Sequence, residues 1–319
     1  MTACVARVRD LGWRSPGPTP GARPTVPRTD DATREARAHL QDLVDSIRPD
    51  LHRYCARLMG SAVDGEDIVQ ETLARALYRL PELAAIPDLR AWLFRVAHNR
   101  ALDVLRRHER QRVESLSPRP AEPDPEQVPT DEALARKEAM TSALTRFLEL
   151  PPVPRSCVIL KDVLDHSLQE AADTLDLSLP AVKAGLHRGR RALREAPASA
   201  PPPSTPSPTL TRYVELFNAR NWEGVRALLA DDVRLDVIGR ARRRGPEAAD
   251  YTGNYDRHHD WHLRTAWVDG REAVAVYQSP TASEPLYLIE LHVEDDRVRG
   301  IRDFRYVPYI ARDACVTAL

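Results

Sequence analysis

The chain has 319 residues, of which 42% are hydrophobic and 29% are charged, and its formal net charge is -1. This composition predicts a soluble protein of two or three domains, and no apolar run is long enough to predict a membrane span. No apolar segment follows the arginine- and proline-containing N-terminus, which argues against a secretory signal and indicates a cytoplasmic protein without a membrane partner.

The charges are unevenly distributed along the chain. The net charge alone argues against a nucleic-acid partner, but basic runs lie at 106–110, 187–191 and 240–244, and acidic residues concentrate between 122 and 138. This segregation indicates one face for an acidic partner and another for a basic partner. The four cysteines (Cys4, Cys55, Cys157 and Cys315) form no CxxC pair. We therefore expect reduced thiols, no metal site and no cofactor.

Clusters among the 27 prolines divide the chain into segments. Helical periodicity occupies two segments, and short β-type runs such as 273–277 and 286–293 occur only in the last third. The predicted fold class is therefore multidomain, with two all-α domains followed by an α+β domain. The segments are a disordered tail (1–33), a helical domain (34–112), an acidic Pro-rich linker (113–132), a second helical domain (133–196), a Pro-rich linker (197–208) and the α+β domain (209–319).

The first helical domain contains an acidic helix start at 66–71. Helical spacing predicts a buried stripe, which comprises Ile68, Val69, Leu73, Ala76, Leu77 and Leu80. Glu66, Asp67, Gln70 and Glu71 lie largely off that stripe. Acidic residues also favour a first helical turn for purely electrostatic reasons, so the pattern alone leaves the structural explanation open.

A second helix in this domain is predicted over 92–107. Leu93, Ala97, Ala101 and Val104 share one face, whereas Arg95, Asn99 and Arg106 share the opposite face, with His98 beside them. An arginine and asparagine face can meet phosphates and base edges, although most charged faces are simply solvated.

The segments DIVQET (67–72) and WLFRVAHNRALDVLRR (92–107) resemble the first conserved domain of extracytoplasmic-function sigma factors. The resemblance implies that Asp67, Gln70 and Glu71 bind the clamp helices of the largest subunit of RNA polymerase core. It also implies that the second helix and the loop at about 80–90 hold the opened minus-ten element. Asn99 would contact a base edge, and Arg95, Arg106 and Arg107 would contact phosphates. Trp92 would either stack on a base or belong to the core.

The second helical domain has the pattern of a helix-turn-helix. Ser167 and Glu170 form a capping box before a helix over 168–175, a turn follows, and Ser178 caps a second helix with Pro180 near its start. The residues expected to pack inward are Leu179, Val182, Leu186 and Leu193, and those expected to point outward are Ala181, Ala184, His187, Arg188 and Arg191. A plain helical hairpin is the alternative, but the basic second helix favours DNA binding.

This domain resembles the minus-thirty-five-binding domain of the same family over about 134–196. The resemblance implies binding to the polymerase flap and DNA contacts from the second helix, which are assigned to Ala181, Lys183, Ala184, His187, Arg188 and Arg191. The family commonly has Ser-Arg after Val-Lys, where this chain has Ala184-Gly185. The missing arginine predicts an altered promoter preference or a contact that shifts to Arg188 and Arg191.

The last domain begins with two amphipathic helices that break between Asn218 and Asn221, and a strand is predicted over 233–237. It resembles the SnoaL-like domains of the ketosteroid-isomerase-like superfamily, which implies a curved sheet with a cone-shaped pocket. Asp236, His259 and Trp261 are candidate pocket residues for an unknown small ligand. The segment 258–262 alternates like a strand, so His258, Asp260 and His262 could share a face, for a metal or catalysis or merely in solvent.

Three functions therefore compete. The leading hypothesis is a non-enzymatic alternative sigma factor that binds polymerase core and promoter DNA and is regulated in cis by its C-terminal domain. The alternatives are a one-component helix-turn-helix regulator with a ligand-sensing domain, and a SnoaL-like enzyme fused to DNA-binding helices. The acidic helix at 67–71 and the helix over 92–107 favour the sigma factor over the one-component regulator, since a classical regulator needs neither.

Overall fold

The computed structural model describes residues 31–79, 86–113, 132–196, 205–256 and 260–318. The chain forms two compact units that divide between residues 199 and 200. Most of the predicted tail and of the two predicted linkers lies outside the described residues, as does Leu80, but residues 31–33 of the predicted tail are helical. Within the described part of the chain, no helix is both long enough and apolar enough to cross a membrane.

The N-terminal unit is entirely helical, as predicted. Its α-helices are α1 (Asp31–Met59), α2 (Ala62–Tyr78), α3 (Leu89–Val113), α4 (Glu132–Thr141), α5 (Pro152–Val158), α6 (Leu168–Leu175) and α7 (Leu179–Glu195). A 3-10 helix (Leu144–Glu149) precedes α5, and a π-helical turn (Ile159–Val163) follows it.

Local sequence sets the helix boundaries of the helix-turn-helix. Ser167 and Glu170 form the predicted capping box at the start of α6, and the side chain of Ser178 accepts from the amide of Ala181 at the start of α7. Asp176 ends α6 in the left-handed conformation, with φ of 54°. A short polar side chain tolerates that conformation better than most, which allows the tight turn before α7.

The two helical segments predicted as separate domains pack into one compact unit with one continuous hydrophobic core. Leu51 from α1, Phe94 from α3, Val158 from α5 and Val182 from α7 are all fully buried members of that core. Burying such side chains stabilises the unit by roughly 1.5–3 kcal/mol each. In the described arrangement, the helices of both segments therefore depend on one another for their buried surface.

The C-terminal unit is an α+β structure, and its predicted class is confirmed. Its elements are α8 (Pro208–Asn218), α9 (Trp222–Leu228), β1 (Leu229–Val237), β2 (Ala241–Arg244), α10 (Pro246–Ala249), a 3-10 helix (Asp250–Thr252), α11 (Gly253–Asp256), β3 (His262–Val268), β4 (Arg271–Tyr277), β5 (Tyr287–Glu294), β6 (Arg297–Asp303), α12 (Tyr309–Asp313) and β7 (Val316–Ala318). The break between the first two helices and the strands predicted at 233–237, 273–277 and 286–293 are all found.

One seven-stranded sheet organises this unit, in the order β2-β1-β6-β5-β4-β3-β7. β1 and β6 are parallel, and the other neighbouring pairs are antiparallel. One face of β1 carries Val233, Leu235 and Val237 into a core that includes Phe217 from α8. The alternate residues of β1, Arg234 and Asp236, lie on the opposite face, as the twofold period of a strand requires.

Candidate protein and nucleic-acid interfaces

The predicted acidic surface of α2 is divided between buried and exposed residues. Glu66 is fully buried, contrary to the expectation that it would lie off the buried stripe. Its Oε1 accepts from Arg48 Nη2 at 2.6 Å and from Gln70 Nε2 at 2.7 Å. A buried carboxylate needs such partners, because an unpaired charge is costly to desolvate. Glu66 therefore anchors α2 to α1, and only part of the acidic cluster can face a partner protein.

Asp67 and Glu71 are the exposed acids of this cluster. Glu71 forms a two-pronged ion pair with Arg100 of α3, in which Nη2 donates to Oε1 at 2.9 Å and Nε donates to Oε2. Leu77, predicted to be buried, is 50% exposed near the end of α2, and Tyr78, which lies on the same side of the helix as Glu71, is 89% exposed. The exposed side of α2 thus combines carboxylates with apolar surface, which suits a protein interface.

The α3 helix has the predicted apolar face, with Leu93, Ala97 and Ala101 fully buried. Asn99, Arg106 and Arg107 are exposed, and Arg106 forms only a loose ion pair, at 3.8 Å, with Asp103. Trp92 is half-buried and packs against the shared core. The exposed face of α3 can therefore present an amide and two guanidinium groups to a nucleic acid.

Arg95 is the exception on this face, because its guanidinium already has a partner. Its Nη2 donates to the backbone carbonyl of Asp173 in α6, the first helix of the helix-turn-helix. The helix-turn-helix therefore covers one end of the exposed face of α3 in this structure.

His98 was expected beside the exposed face, but it is buried. Its Nδ1 shares a hydrogen bond with the hydroxyl of Tyr54 at 2.7 Å and lies 3.4 Å from the hydroxyl of Ser156 in α5. Burial, and to a lesser extent the positive charge of Arg106, lowers the pKa of His98 to about 4. His98 is therefore neutral at neutral pH and forms part of the contact between the two helical segments.

Arg155 also joins the two helical segments, a structural role that no sequence pattern predicts. It is 5% exposed and donates to three carbonyl groups: those of Leu58 at 2.7 Å, Leu148 at 3.1 Å and Leu150 at 2.8 Å. Burial lowers the pKa of its guanidinium to about 10, which still leaves it charged at neutral pH. Leu58 belongs to α1, so Arg155 fastens α5 to the end of that helix.

The predicted DNA-binding helix α7 has an open basic face. Lys183, Ala184, Arg188 and Arg191 are exposed, and Ala181 and His187 are half-buried. The stripe of Val182, Leu186 and Leu193 is buried as predicted. Leu179 was expected to pack inward, but it is 39% exposed. It is the first residue of the helix and lies at the edge of the apolar stripe.

Arg190 has a different role from its neighbours. It is buried and forms a bidentate ion pair with Asp162, with donor–acceptor distances of 2.9 and 2.6 Å. Helical spacing predicts that Arg190 is buried, because it lies four residues after Leu186 and eight after Val182, on the buried side of α7. Within the basic run at 187–191, residue type alone does not separate this structural arginine from the exposed ones.

Gly185, at the position where the family commonly has arginine, has a packing role. A Cβ atom added there would lie 2.8 Å from Cys157 Sγ in α5. Real Cβ atoms do not approach sulfur so closely, so α7 and α5 are closer here than an arginine would allow. Position 185 therefore has no room for a larger side chain in the packing of α7 against α5.

The three candidate pocket residues of the C-terminal unit do not form one site in the described structure. Asp236 lies on the sheet face opposite the core, where it accepts from Arg242 at 3.1 Å. Trp261 packs against Phe217 and Tyr255 at the core. His259 lies outside the described residues. The predicted strand at 258–262 is not found over Asp260 and Trp261, since β3 begins at His262.

The interior of this unit instead contains a buried polar network that no local sequence pattern indicates. Asp303 Oδ2 accepts from the hydroxyls of Tyr251 at 2.6 Å and Tyr255 at 2.9 Å, and Arg305 donates to Tyr287 at 3.0 Å. Burial raises the pKa of Tyr287 to about 12, so its hydroxyl stays protonated. Sequence separations of up to 54 residues hide such a cluster from any local pattern.

Neither metal binding nor disulfide formation is evident among the described residues. No group of three or more histidine, cysteine, aspartate and glutamate side chains in those ranges could hold a metal ion. Cys55 and Cys157 are buried free thiols, and Cys315 is an exposed one. Burial raises the pKa of Cys157 to about 11, so it is not a reactive thiolate at neutral pH.

Two family models match the N-terminal unit. Residues 43–111 match Sigma-70 region 2, and residues 142–193 match Sigma-70, region 4. The first match spans most of α1, with α2 and α3, and the second spans the helix-turn-helix and the helices before it. These are the two segments whose helices share the hydrophobic core.

Curated relatives agree with these matches. The chain is 33% identical over 198 residues to the ECF RNA polymerase sigma factor SigE of Mycolicibacterium smegmatis, which covers 60% of this chain and 74% of that protein. It is also 33% identical over 169 residues to the ECF RNA polymerase sigma factor SigL of Mycobacterium tuberculosis, which covers 52% of this chain and 93% of that protein.

Solved structures with lower similarity cover both units. The extracytoplasmic function sigma factor SigJ of Mycobacterium tuberculosis is similar over 82% of this chain and 95% of its own, at 22% identity and a TM-score of 0.34. A candidate ketosteroid isomerase from Kribbella flavida is similar over 30% of this chain and 73% of its own, at 28% identity and a TM-score of 0.25.

Proposed function

The chain belongs to the ECF RNA polymerase sigma factors, and we propose that α2, α3 and α7 divide its contacts with polymerase and promoter between them. As a member of that family, it directs transcription initiation with RNA polymerase core and promoter DNA as its partners. A one-component regulator would not be expected to match both Sigma-70 regions. The assignments of individual helices that follow are proposals.

We infer that α2 docks on the clamp helices of the largest polymerase subunit. The observation that supports this most strongly is the division of its acidic cluster. Glu66 is buried and holds the helix in place, whereas Asp67 and Glu71 face outward on the same side of the helix as the exposed Tyr78. A rigid helix that presents carboxylates around apolar surface suits a protein interface with basic residues at its rim.

The test is a charge reversal with a matched control. Asp67→Arg should abolish co-purification with RNA polymerase core, whereas Asp45→Arg, an equally drastic reversal at an exposed position of α1, should leave it unchanged. Circular dichroism and urea unfolding should show that both variants fold like the parent chain. Normal core binding by Asp67→Arg would remove the docking role of α2.

We propose that α7 reads the minus-thirty-five element in duplex DNA, and that the flap of the polymerase holds this part of the chain. Lys183, Arg188 and Arg191 are exposed along one side of α7, and the apolar stripe of the helix is buried behind them. A basic helix that stands on a packed helical partner is the usual element for major-groove binding. The small Ala184 limits the contacts at this end of the helix, whereas Gly185 is buried against Cys157 of α5 and lies off the exposed face.

We propose that α3 holds the opened minus-ten element through Asn99, with phosphate contacts from Arg95, Arg106 and Arg107. Asn99 offers both a donor and an acceptor to a base edge. Arg95, however, is bound to the carbonyl of Asp173. Full use of this face therefore requires that Arg95 leaves the carbonyl of Asp173, so that α6 separates from α3.

We propose that the C-terminal unit is not an enzyme and regulates the sigma factor in cis. This unit is a separate compact domain, because the buried residues of its sheet and helices form their own hydrophobic core. Asp236, a candidate pocket residue, is ion-paired with Arg242 on the sheet face opposite that core. Truncation after Ala196 should change the rate of transcription from a cognate promoter. Equal rates with and without residues 197–319 would contradict regulation by this unit.

A further inference from the structure

The sheet of the C-terminal unit has a face that none of the proposed sigma functions uses. We call this the outer face; it is the face of β1, β2, β5 and β6 opposite the buried core. It includes part of the basic run at 240–244, which falls on the edge strand β2. Charged residues are common on edge strands as protection against aggregation, so the run alone does not indicate a site.

One row of side chains across the outer face is electrically balanced. The strand register aligns Arg242, Asp236, Arg302 and Glu290 on four adjacent strands. Arg242 donates to Asp236 at 3.1 Å, and Arg302 donates to Glu290 at 3.0 Å. Opposite charges on directly facing positions stabilise a sheet, and this row follows that rule.

The neighbouring row breaks the rule. It consists of Arg244, Arg234, Gly300 and His292, in that order across β2, β1, β6 and β5. Arg234 and Arg244 are exposed and face each other directly, and neither guanidinium has a hydrogen bond or ion pair with another residue in the described ranges. Like charges at facing positions destabilise a sheet, so this arrangement has a cost that a bound anion would remove.

A groove of about 790 Å³ runs along these residues. Gly300 carries no side chain between Arg234 and His292, and a Cβ added there would crowd the Cβ of His292 at 3.2 Å. Asp232 and Glu294, which also line the groove, are paired with Arg299 at 3.3 and 2.7 Å. Glu247 lines it as well, so the groove favours a compact anion that can reach the arginines over an extended polyanion.

We propose that this groove binds a small molecule through a phosphate monoester held by Arg234 and Arg244. Two guanidinium groups match a group with close to two negative charges and three acceptor oxygens, whereas a carboxylate carries only one charge. His292, which also lines the groove, would contact the rest of the ligand. The proposal extends the proposed regulation in cis by naming a ligand class, and its test does not depend on transcription.

The test uses calorimetric titration of the full chain with inorganic phosphate and with a nucleoside 5′-monophosphate. Both should bind saturably, and Arg234→Gln and Arg244→Gln should each weaken binding by tenfold or more. Arg242→Gln is the matched control, because Arg242 lies on the same strand and face as Arg244 but is paired with Asp236. Its effect should stay below threefold.

Three results would overturn the proposal. The first is the absence of saturable binding of either phosphate compound at millimolar concentration. The second is an equal loss of binding in Arg242→Gln, which would indicate a general charge effect without a site. The third is binding of duplex DNA that requires Arg234 while the monophosphate does not bind, which would assign the row to nucleic acid. None of these results would affect core binding by α2, so they are distinguishable from a failure of the sigma assignment.

Discussion

The two helices proposed to contact promoter DNA, α3 and α7, are both basic and amphipathic. They differ in how accessible their exposed faces are. Both carry arginines above a buried apolar stripe. On α7, Lys183 and Arg188 are exposed among the described residues, whereas on α3 Arg95 is bound to α6. A basic face alone therefore does not make a helix accessible to DNA, because other elements can pack against that face.

The largest expected effect concerns two adjacent arginines of α7. Arg190→Ala should destabilise the N-terminal unit by about 3–5 kcal/mol, because it leaves the buried carboxylate of Asp162 without its cation. Arg191→Ala removes only an exposed pair with Glu195 and should change stability by less than about 0.5 kcal/mol. Urea unfolding of the two variants tests this, and equal losses would show that the open face of α7 is not separate from its buried side.

The second prediction concerns the covered helix α3 and its dependence on pH. The pKa of His98 falls from 6.5 in the unfolded chain to about 4 in the folded one, so the unfolded chain binds the extra proton between these values. This contribution to stability is complete above pH 6.5 and is lost as the pH falls to 4, by about 3 kcal/mol in total.

Urea unfolding between pH 7 and pH 4 measures this loss. His98→Asn, which keeps an acceptor for the hydroxyl of Tyr54, serves as the control and should show a shallower decline. Equal slopes for the parent and the variant would mean that His98 does not couple the contact between the two helical segments to pH.

The third prediction concerns the close approach of α7 to α5. Gly185→Ala places a methyl group where a Cβ would lie 2.8 Å from Cys157 Sγ. Overpacking of this kind costs about 1–3 kcal/mol, which outweighs the better helix propensity of alanine. Thermal unfolding should show a lower Tm, and an unchanged or higher Tm would indicate that α7 can shift away from α5 without loss.

The smallest expected effect concerns the difference in accessibility between the exposed faces of α3 and α7. In the free chain, Arg188→Ala should weaken binding to upstream duplex DNA by about tenfold or less and reduce the salt slope by about 1. Arg95→Ala should leave that binding unchanged, because its guanidinium contacts α6. Fluorescence anisotropy at several salt concentrations measures both. Equal weakening by the two variants would contradict the difference between the faces.

Local patterns predicted much of this fold. The capping box of α6, the cap and proline at the start of α7, and the break between α8 and α9 were all visible in the sequence, because each depends on residues within one helical turn. The errors at Leu77 and Leu179 have a common cause: each residue lies at the edge of an apolar stripe, where neighbouring elements decide burial.

The rest depends on contacts between distant residues. Glu66 and His98 are polar and were placed on or beside exposed faces. In the structure both are buried, because Arg48 and Tyr54 provide their hydrogen-bond partners. The network around Asp303 and the arginine pair on the outer face depend on strand register, which sequence periodicity alone does not specify. The sequence thus predicted which helices carry the candidate sites, but not which of their side chains already form hydrogen bonds or ion pairs within the protein.

The most direct test of the account is to hold α6 against α3. In a chain with Cys4→Ser and Cys315→Ser, the substitutions Arg95→Cys and Asp173→Cys allow a short bismaleimide to cross-link the two helices across the contact described here. Run-off transcription with RNA polymerase core should then be lost in the cross-linked protein and retained by the same variant without cross-linker. Equal transcription by both forms would contradict the claim that the face of α3 must be uncovered.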